Sequence, residues 1–267
     1  MKNIYSEILE LAEGGHSGIL VTVVEKQGSG PAATGTKMIV YPDGKTSGTV
    51  GGGSIEKMAI KKALKLLESN ENVTEHYIMD EPGDGTTTGM ICGGSATLFF
   101  EYFAPKKHVY IFGAGHIGKA LCYHLKPLNY QITVIDDREE VLREIHDADE
   151  KIHASFADAL NNRSIGKDAF FVIATYQHTY DSVVLNKIYH SKWEPKYVGM
   201  VASRKKQKQL IAKLKKEVPN ADTSNCYVPA GLNIGGTLPH EIALSIISEM
   251  QTVANDKNVK HLRDGND

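Results

Sequence analysis

The sequence has little cysteine and no surplus of positive charge. Its 267 residues include three cysteines, Cys92, Cys122 and Cys226, which are far apart and odd in number. They form neither a disulfide framework nor a Cys-x-x-Cys metal knuckle, and we therefore expect a cytoplasmic protein. The formal net charge is −2, so the composition gives no reason to expect a nucleic acid or an anionic membrane surface as a partner.

Long apolar runs and common catalytic signatures are also absent. No run approaches the roughly 20 residues that a membrane helix needs, and the acidic, amphipathic N-terminus lacks the continuous apolar core of a signal peptide. We find no Ser-His-Asp elbow, no His-Glu-x-x-His zinc helix and no paired-carboxylate signature. The sequence thus indicates binding more clearly than catalysis.

Two halves with different patterns predict an α/β protein with two domains. Residues 1–105 have strands in runs, a helix at the start and a second helix after the glycines at 51–53, which predicts a mixed α/β domain. Residues 106–267 alternate apolar strands with helices, which predicts a parallel, doubly wound, Rossmann-like sheet with a buried final helix near 239–253. The predicted strands of this half lie at 108–112, 131–135, 151–154, 169–174 and 196–201.

The most informative string is Gly113-Ala-Gly115-His116-Ile-Gly118, which follows an apolar strand and begins a helix. The first glycine makes a tight turn, the second lets the backbone approach a pyrophosphate, and the third lets helix and strand pack closely. Asp136 ends the next strand, 18 residues beyond Gly118, where it would accept a hydrogen bond from a ribose hydroxyl. Arg138 would stack on adenine or contact a 2′-phosphate. The string predicts NAD or NADP binding; a tight turn without a ligand is the alternative.

Two further glycine-rich strings lie in the first half. Gly28 and Gly30 follow the first strand, and Gly52, Gly53 and Ser54 precede a helix. Glycines between a strand and a helix can expose backbone N–H groups in a concave nest, which is an anion site. They can equally form a flexible turn, and the sequence does not decide between these interpretations.

Five other residues are candidates for chemistry or ligand contact. Cys92 lies beside two glycines, where its thiolate could be a nucleophile or a metal ligand, although a lone cysteine is usually a small buried side chain. His178 and Asp181 follow a strand of the second half and could act on a substrate proton, while Asp181 could instead cap the next helix. Ser203 as a cap would place Arg204 close to an anionic ligand at the sheet edge.

The ordered combination of these motifs resembles the XdhC/CoxI proteins, which are xanthine dehydrogenase accessory factors. The resemblance rests on the glycine strings above and on Met90-Ile-Cys92-Gly-Gly, Asp136-Asp-Arg138, the segment 199–204 and Pro229-Ala-Gly-Leu-Asn-Ile-Gly235. It implies an XdhC-type N-terminal domain followed by a Rossmann-like domain. It also implies binding of the molybdenum cofactor, either as molybdopterin or as its dinucleotide, with Cys92 as a contact to molybdenum or sulfur.

The same resemblance implies protein partners. These are a cysteine desulfurase, which would supply sulfur, and a molybdenum hydroxylase of the xanthine dehydrogenase type, which would receive the cofactor. Tyr176-Gln177 stands where a smaller turn with Arg or Gly is expected, and this leaves the role of His178 open. Two alternatives are an NAD(P)-dependent oxidoreductase acting on a small substrate and an NAD(P)-sensing binding module. An open edge in the N-terminal sheet would also allow a homodimer.

Overall fold

The computed structural model describes residues 3–14, 16–28, 33–78, 94–191 and 193–264, and of residues 204–206 the backbone alone. The chain divides into two compact units, residues 1–106 and 107–267. In the described ranges, no helix combines the length and the apolar composition that crossing a membrane requires.

The first unit is a five-stranded antiparallel sheet with a helix on each face. The strands follow the order β3-β2-β1-β5-β4. Its elements are α1 (Ile4–Ala12), β1 (Gly18–Gly28), β2 (Lys37–Val40), β3 (Thr46–Gly48), α2 (Gly53–Ser69), β4 (Val73–Ile78) and β5 (Gly94–Phe103).

The alternation of side chains along β1 explains why both faces are covered. Ile19 and Val21 pack in one buried cluster with Ile55 of α2, whereas Leu20 packs in another with Leu11 of α1. Successive residues of a strand point to opposite faces, so each helix covers one set of apolar side chains. The mixed α/β class predicted for this half is confirmed.

The second unit is a six-stranded parallel sheet in the order β11-β10-β9-β6-β7-β8. Its strands are β6 (Lys107–Phe112), β7 (Tyr130–Asp136), β8 (Glu150–His153), β9 (Phe170–Ile173), β10 (Tyr197–Met200) and β11 (Cys226–Tyr227). Its helices are α3 (His116–Leu125), α4 (Glu139–Arg143), α5 (His178–His190), α6 (Arg204–Glu217) and α7 (Pro239–Ala254), followed by a 3₁₀ turn (Leu262–Asp264).

The sheet of the second unit is buried on both faces. Val109 and Ile111 of β6 pack in one cluster with α3 and α7, while Tyr110 and Phe112 pack in another with α5. A parallel sheet needs helices on both faces, and this arrangement confirms the doubly wound, Rossmann-like prediction.

The glycine loop between β6 and α3 depends on two close approaches. Gly113 has φ of +113°, and a Cβ there would overlap the carbonyl oxygen of Ala174. A Cβ on Gly118 would overlap the carbonyl oxygen of Gly113. Gly115 differs, because its φ is −68° and a Cβ there would meet no atom within 4 Å. The first and third glycines are therefore packing residues, while the second faces open space.

The sequence patterns missed two short elements and misplaced one helix start. The five-residue α4 and the two-residue β11 were not predicted, because such short segments carry too few residues to show a period. Helix α5 begins at His178 with Gln177 as its N-cap. Of the two alternatives for Asp181, the one in which it caps this helix is therefore wrong.

We predict that Gly118→Ala destabilises the protein more than Gly115→Ala. The added methyl group of the first variant must displace backbone, which typically costs about 1–3 kcal/mol of unfolding free energy, whereas that of the second enters open space. Urea unfolding of both variants measures the difference. Equal stability of the two variants would contradict the packing role of Gly118.

Candidate functional site

A cleft of about 760 Å³ opens at the carboxyl end of the parallel sheet. The glycine loop and α3 form one side, and the segments that follow β7 and β9 and precede α7 form the rest. Residues that line it include Gly115, His116, Arg138, Tyr176, Thr237 and Ile242. Open α/β sheets bind ligands at this edge, where the strand order reverses, here between β6 and β9.

The N-terminus of α3 faces this cleft with free backbone donors. Gly115 is its N-cap and makes no side-chain cap, and the first turn contains no acidic residue. Among the described residues, none accepts a hydrogen bond from the N–H groups of Gly115, His116 or Ile117. The first N–H groups of a helix and the positive end of its dipole bind anions, phosphate above all.

At two other helix starts, a carboxylate of the chain itself accepts from the backbone N–H groups at or just before the N-cap. At α2, Glu56 accepts from the N–H of Gly52 at 3.1 Å and from the hydroxyl of Thr49 at 2.5 Å. At α7, Glu241 accepts from the N–H groups of Thr237 and Leu238 at 2.7 and 2.9 Å, and these bonds lower the pKa of its carboxyl group.

The carboxylate of Glu56 thus occupies part of the anion nest that was predicted at Gly52, Gly53 and Ser54. An anion that bound to the N–H of Gly52 would have to compete with this carboxylate. Anion binding at this nest stays a prediction.

Asp136 lies at the centre of the glycine-loop site but is fully buried. One carboxylate oxygen accepts from the N–H of Ala114 at 2.8 Å and from Nη2 of Arg138 at 2.9 Å. The other accepts from the N–H and Nε of Arg138 at 3.0 and 2.9 Å. Four donors thus occupy the carboxylate, which fixes the loop to the end of β7. A ribose hydroxyl would have to displace one of them, and the ribose contact expected of Asp136 stays a prediction.

The environment of Asp136 changes its acidity. Burial alone would raise the pKa of the carboxyl group, but the hydrogen bonds from Arg138 and Ala114 together lower it below its ordinary value. Hydrogen bonds to the ionised form favour that form. The carboxylate therefore stays charged wherever the protein is folded near neutral pH.

Arg138 and Tyr176 form a flat surface at the cleft. Asp136 holds the guanidinium of Arg138 by two bonds, and the Cζ atom of that group lies 3.9 Å from the ring centroid of Tyr176. The hydroxyl of Tyr176 donates to Asp137 at 3.1 Å. In the sequence, Tyr176 stands out only as a departure from the family pattern. Its position directly after β9, at the same sheet edge as Arg138, could have indicated that it belongs to the site.

His178 lies at a different cavity from the glycine loop, and Asp181 is not among the described residues that line either cavity. His178 lines a cavity of about 320 Å³ with Ser182 and Lys213. Asp181 is buried and accepts from the hydroxyl of Thr175 at 2.5 Å, and it pairs with Nδ1 of His178 at 3.3 Å. Burial raises the pKa of the Asp181 carboxyl group despite these partners.

The structure describes only some of the remaining candidate residues. Cys92 and Gly30 lie outside the described residues, and the side chain of Arg204 does too. Gly28 ends β1 with φ of +76°. Ser203 is the N-cap residue of α6, but its side chain makes no cap hydrogen bond, and it is not among the described residues that line the cleft.

The described thiols are poor candidates for sulfur or metal chemistry. Burial raises the pKa of Cys122 to about 12, and it also raises that of Cys226. A thiol with a raised pKa supplies little thiolate, the form that attacks or ligates. Within the described ranges, no group of three or more His, Cys, Asp or Glu side chains could hold a metal ion.

We predict that Asp136→Asn lowers the unfolding free energy by about 1.5–3 kcal/mol at neutral pH, as is typical for hydrogen bonds to charged groups. Because folding lowers the pKa of Asp136 from its ordinary 3.8, its stabilisation is complete above that value and is lost as the pH falls through the folded pKa. The difference in unfolding free energy between wild type and variant, measured by urea unfolding, should thus become smaller below about pH 4.

Glu139→Gln is the matched control, because Glu139 is exposed on α4 and bonds only to Arg143 among the described residues. It should leave stability almost unchanged. The ordinary pKa of an aspartate lies above about pH 3. If the difference in unfolding free energy between wild type and Asp136→Asn stayed constant down to about pH 3, this would contradict the charged pairing described above.

Comparison with protein families matches residues 109–250 to the XdhC Rossmann domain and residues 11–78 to the XdhC and CoxI family. A crystal structure described as a xanthine dehydrogenase from Bacillus halodurans aligns over 94% of this chain and 96% of that one, with a TM-score of 0.54 and 21% sequence identity. At this identity the alignment supports the fold alone.

Three curated proteins are similar in sequence. The chain is 30% identical to the uncharacterized protein YqeB of Escherichia coli (strain K12), over 95% of this chain and 47% of that protein. It is 26% identical to a probable xanthine dehydrogenase subunit of Bacillus subtilis (strain 168), over 58% and 46%. It is 33% identical to the molybdenum cofactor insertion chaperone PaoD of E. coli, over 34% and 28%.

The chain thus spans about half or less of the length of these curated relatives. The Rossmann match alone covers more than half of the chain, and the second match falls in the other unit. The chain therefore belongs to the XdhC and CoxI family.

Proposed function

We propose that this protein is an accessory factor that binds the molybdenum cofactor, supports its sulfuration and delivers it to a molybdenum hydroxylase of the xanthine dehydrogenase type. Family membership supports this role, as does the similarity to a relative that is named as a molybdenum cofactor insertion chaperone. A cysteine desulfurase would be the sulfur donor. We further propose that the protein acts in the cytoplasm.

The open N-terminus of α3 carries the ligand part of this proposal. Its N–H groups at Gly115, His116 and Ile117 point to a cleft that has room for a nucleotide-sized molecule. At the neighbouring start of α7, the N–H groups of Thr237 and Leu238 already donate to Glu241. A phosphate or pyrophosphate group satisfies free donors such as those of α3.

The described residues fit one end of the molybdenum cofactor. The α3 N–H groups suit the phosphate of a phosphorylated pterin or of its dinucleotide. The guanidinium of Arg138, backed by Tyr176, suits the face of a flat heterocycle such as a pterin, cytosine or adenine. The same features would accept NAD or NADP.

The metal end of the cofactor has no matching ligand in the described part of the cleft. Cys122 is buried in the core around α3 and keeps its proton. Contact of Cys92 with molybdenum or sulfur is a separate proposal, which rests on the resemblance of its Cys-Gly-Gly string to the family motif. When bound, the cofactor would supply a molybdenum centre with sulfur ligands, and the chain itself would hold its phosphate and ring system.

An NAD(P)-dependent oxidoreductase has weaker support. It would need His178 and Asp181 beside the nicotinamide, yet His178 lines a different cavity from the glycine loop. An NAD(P)-sensing module needs only the cleft itself. A homodimer through the edge strands β3 or β4 stays a proposal.

The test is mass spectrometry of the small molecules released from protein that is purified anaerobically from molybdate-fed cells. Wild-type protein should release a pterin dithiolene, or its oxidised derivatives, in near-stoichiometric amount. Gly115→Val should lose it, because the isopropyl group fills the open space at the α3 N-terminus. Gly166→Val is the matched control, since Gly166 is exposed and a Cβ there also meets no atom within 4 Å.

Two outcomes would contradict the proposal. Release of NAD(P) alone from wild-type protein would retain the nucleotide cleft and reject cofactor handling. Retention of the pterin by Gly115→Val, with both variants folded, would place the ligand elsewhere.

A further inference from the structure

Two imidazole rings meet outside the proposed ligand cleft. His124 in the last turn of α3 and His240 in the first turn of α7 are 116 positions apart in sequence, yet Nε2 of the first lies 3.1 Å from Nδ1 of the second. His240 is exposed and His124 is partly so. The ring of Tyr123 lies edge-on to both, with centroid distances of 5.1 and 5.9 Å.

We propose that His124 and His240 chelate a divalent first-row transition metal ion such as Zn²⁺, Ni²⁺ or Cu²⁺. Two nitrogens that bind one ion at about 2.0–2.1 Å are roughly 2.9 Å apart at a right angle and roughly 3.4 Å apart at a tetrahedral angle. The observed separation of 3.1 Å lies within this interval. Imidazole nitrogen is a ligand that these metals prefer over Mg²⁺ or Ca²⁺.

The two helices hold this spacing through their packing. Leu121 of α3 and Ala243 and Ile247 of α7 belong to one buried cluster, so the backbones that carry the histidines cannot separate freely. The rings now stand at 87° to each other. Metal binding requires both lone pairs to converge on one point, which a rotation of the exposed His240 ring about its side-chain bonds can provide.

The chemistry balances without a net change in protonation. One of the two facing nitrogens now carries the shared hydrogen atom, whereas both must be unprotonated to bind the ion. That hydrogen would move to the far nitrogen of the same ring, so that both facing nitrogens can bind the ion. Because the described residues supply no third His, Cys, Asp or Glu ligand, water would complete the coordination.

The site goes beyond the proposed cofactor role, and its failure would leave that role intact. Its ion would connect α3 to α7, the two helices whose first turns border the ligand cleft. The expected effect is a metal-dependent increase in thermal stability, because a ligand that binds only the folded state stabilises it by mass action.

The test is a Zn²⁺ titration by calorimetry on the full chain, free of any polyhistidine tag and stripped of metal. Wild-type protein should bind one equivalent of Zn²⁺ at this site. His124→Gln and His240→Gln should each lower the affinity for that equivalent by at least about tenfold, since even the loss of an outer-shell partner lowers metal affinity about 10–100-fold. His190→Gln, an exposed histidine on α5 whose Nδ1 contacts the carbonyl oxygen of Asn186, should leave it unchanged.

Electron paramagnetic resonance with Cu²⁺ gives a second readout. Wild-type protein should show coupling to ligand nitrogens that both variants reduce. The proposal is overturned if wild-type protein binds no Zn²⁺, or if either variant keeps wild-type affinity and stoichiometry, which would place any bound ion elsewhere in the chain.

Discussion

The pairing of Asp136 with Ala114 and Arg138 holds the candidate site together. One buried carboxylate bonds to the glycine loop, to the backbone after β7 and to a guanidinium at the cleft. The loop position sets where α3 begins, and the guanidinium position sets the surface that Tyr176 supports. Loss of this carboxylate would therefore disturb both the phosphate end and the ring end of the cleft.

The starts of α2, α3 and α7 differ in whether an acidic side chain bonds to their backbone. Glu56 and Glu241 accept from backbone N–H groups at or just before the N-caps of α2 and α7, whereas the first turn of α3 contains no acidic residue. A carboxylate there would compete with a phosphate for the same N–H groups. Acidic side chains thus support the starts of α2 and α7, while no carboxylate occupies the start of α3 beside the cleft.

Sequence patterns predicted the sheets and the glycine loop because both depend on local features, namely apolar runs and glycine spacing. They did not predict what Asp136 does, because its partner Ala114 lies 22 residues away and the burial of its carboxylate is a tertiary property. The same limit applies to Tyr176 beside Arg138 and to His124 beside His240, which only the packing of separate elements brings together. A cap was one of the two alternatives for Asp181 because its residue type favours that position, but Asp181 lies inside the first turn of α5, where it accepts a hydrogen bond from Thr175.

The most direct test of the phosphate site is an amide proton–nitrogen correlation spectrum of the labelled protein, recorded during titration with ADP. We expect large shift changes at Gly115, His116 and Ile117, and only small ones at Gly52, whose N–H already bonds to a carboxylate and which is not among the described residues that line the cleft. Shifts confined to the start of α2, or no shifts at the start of α3, would contradict a phosphate site at the glycine loop.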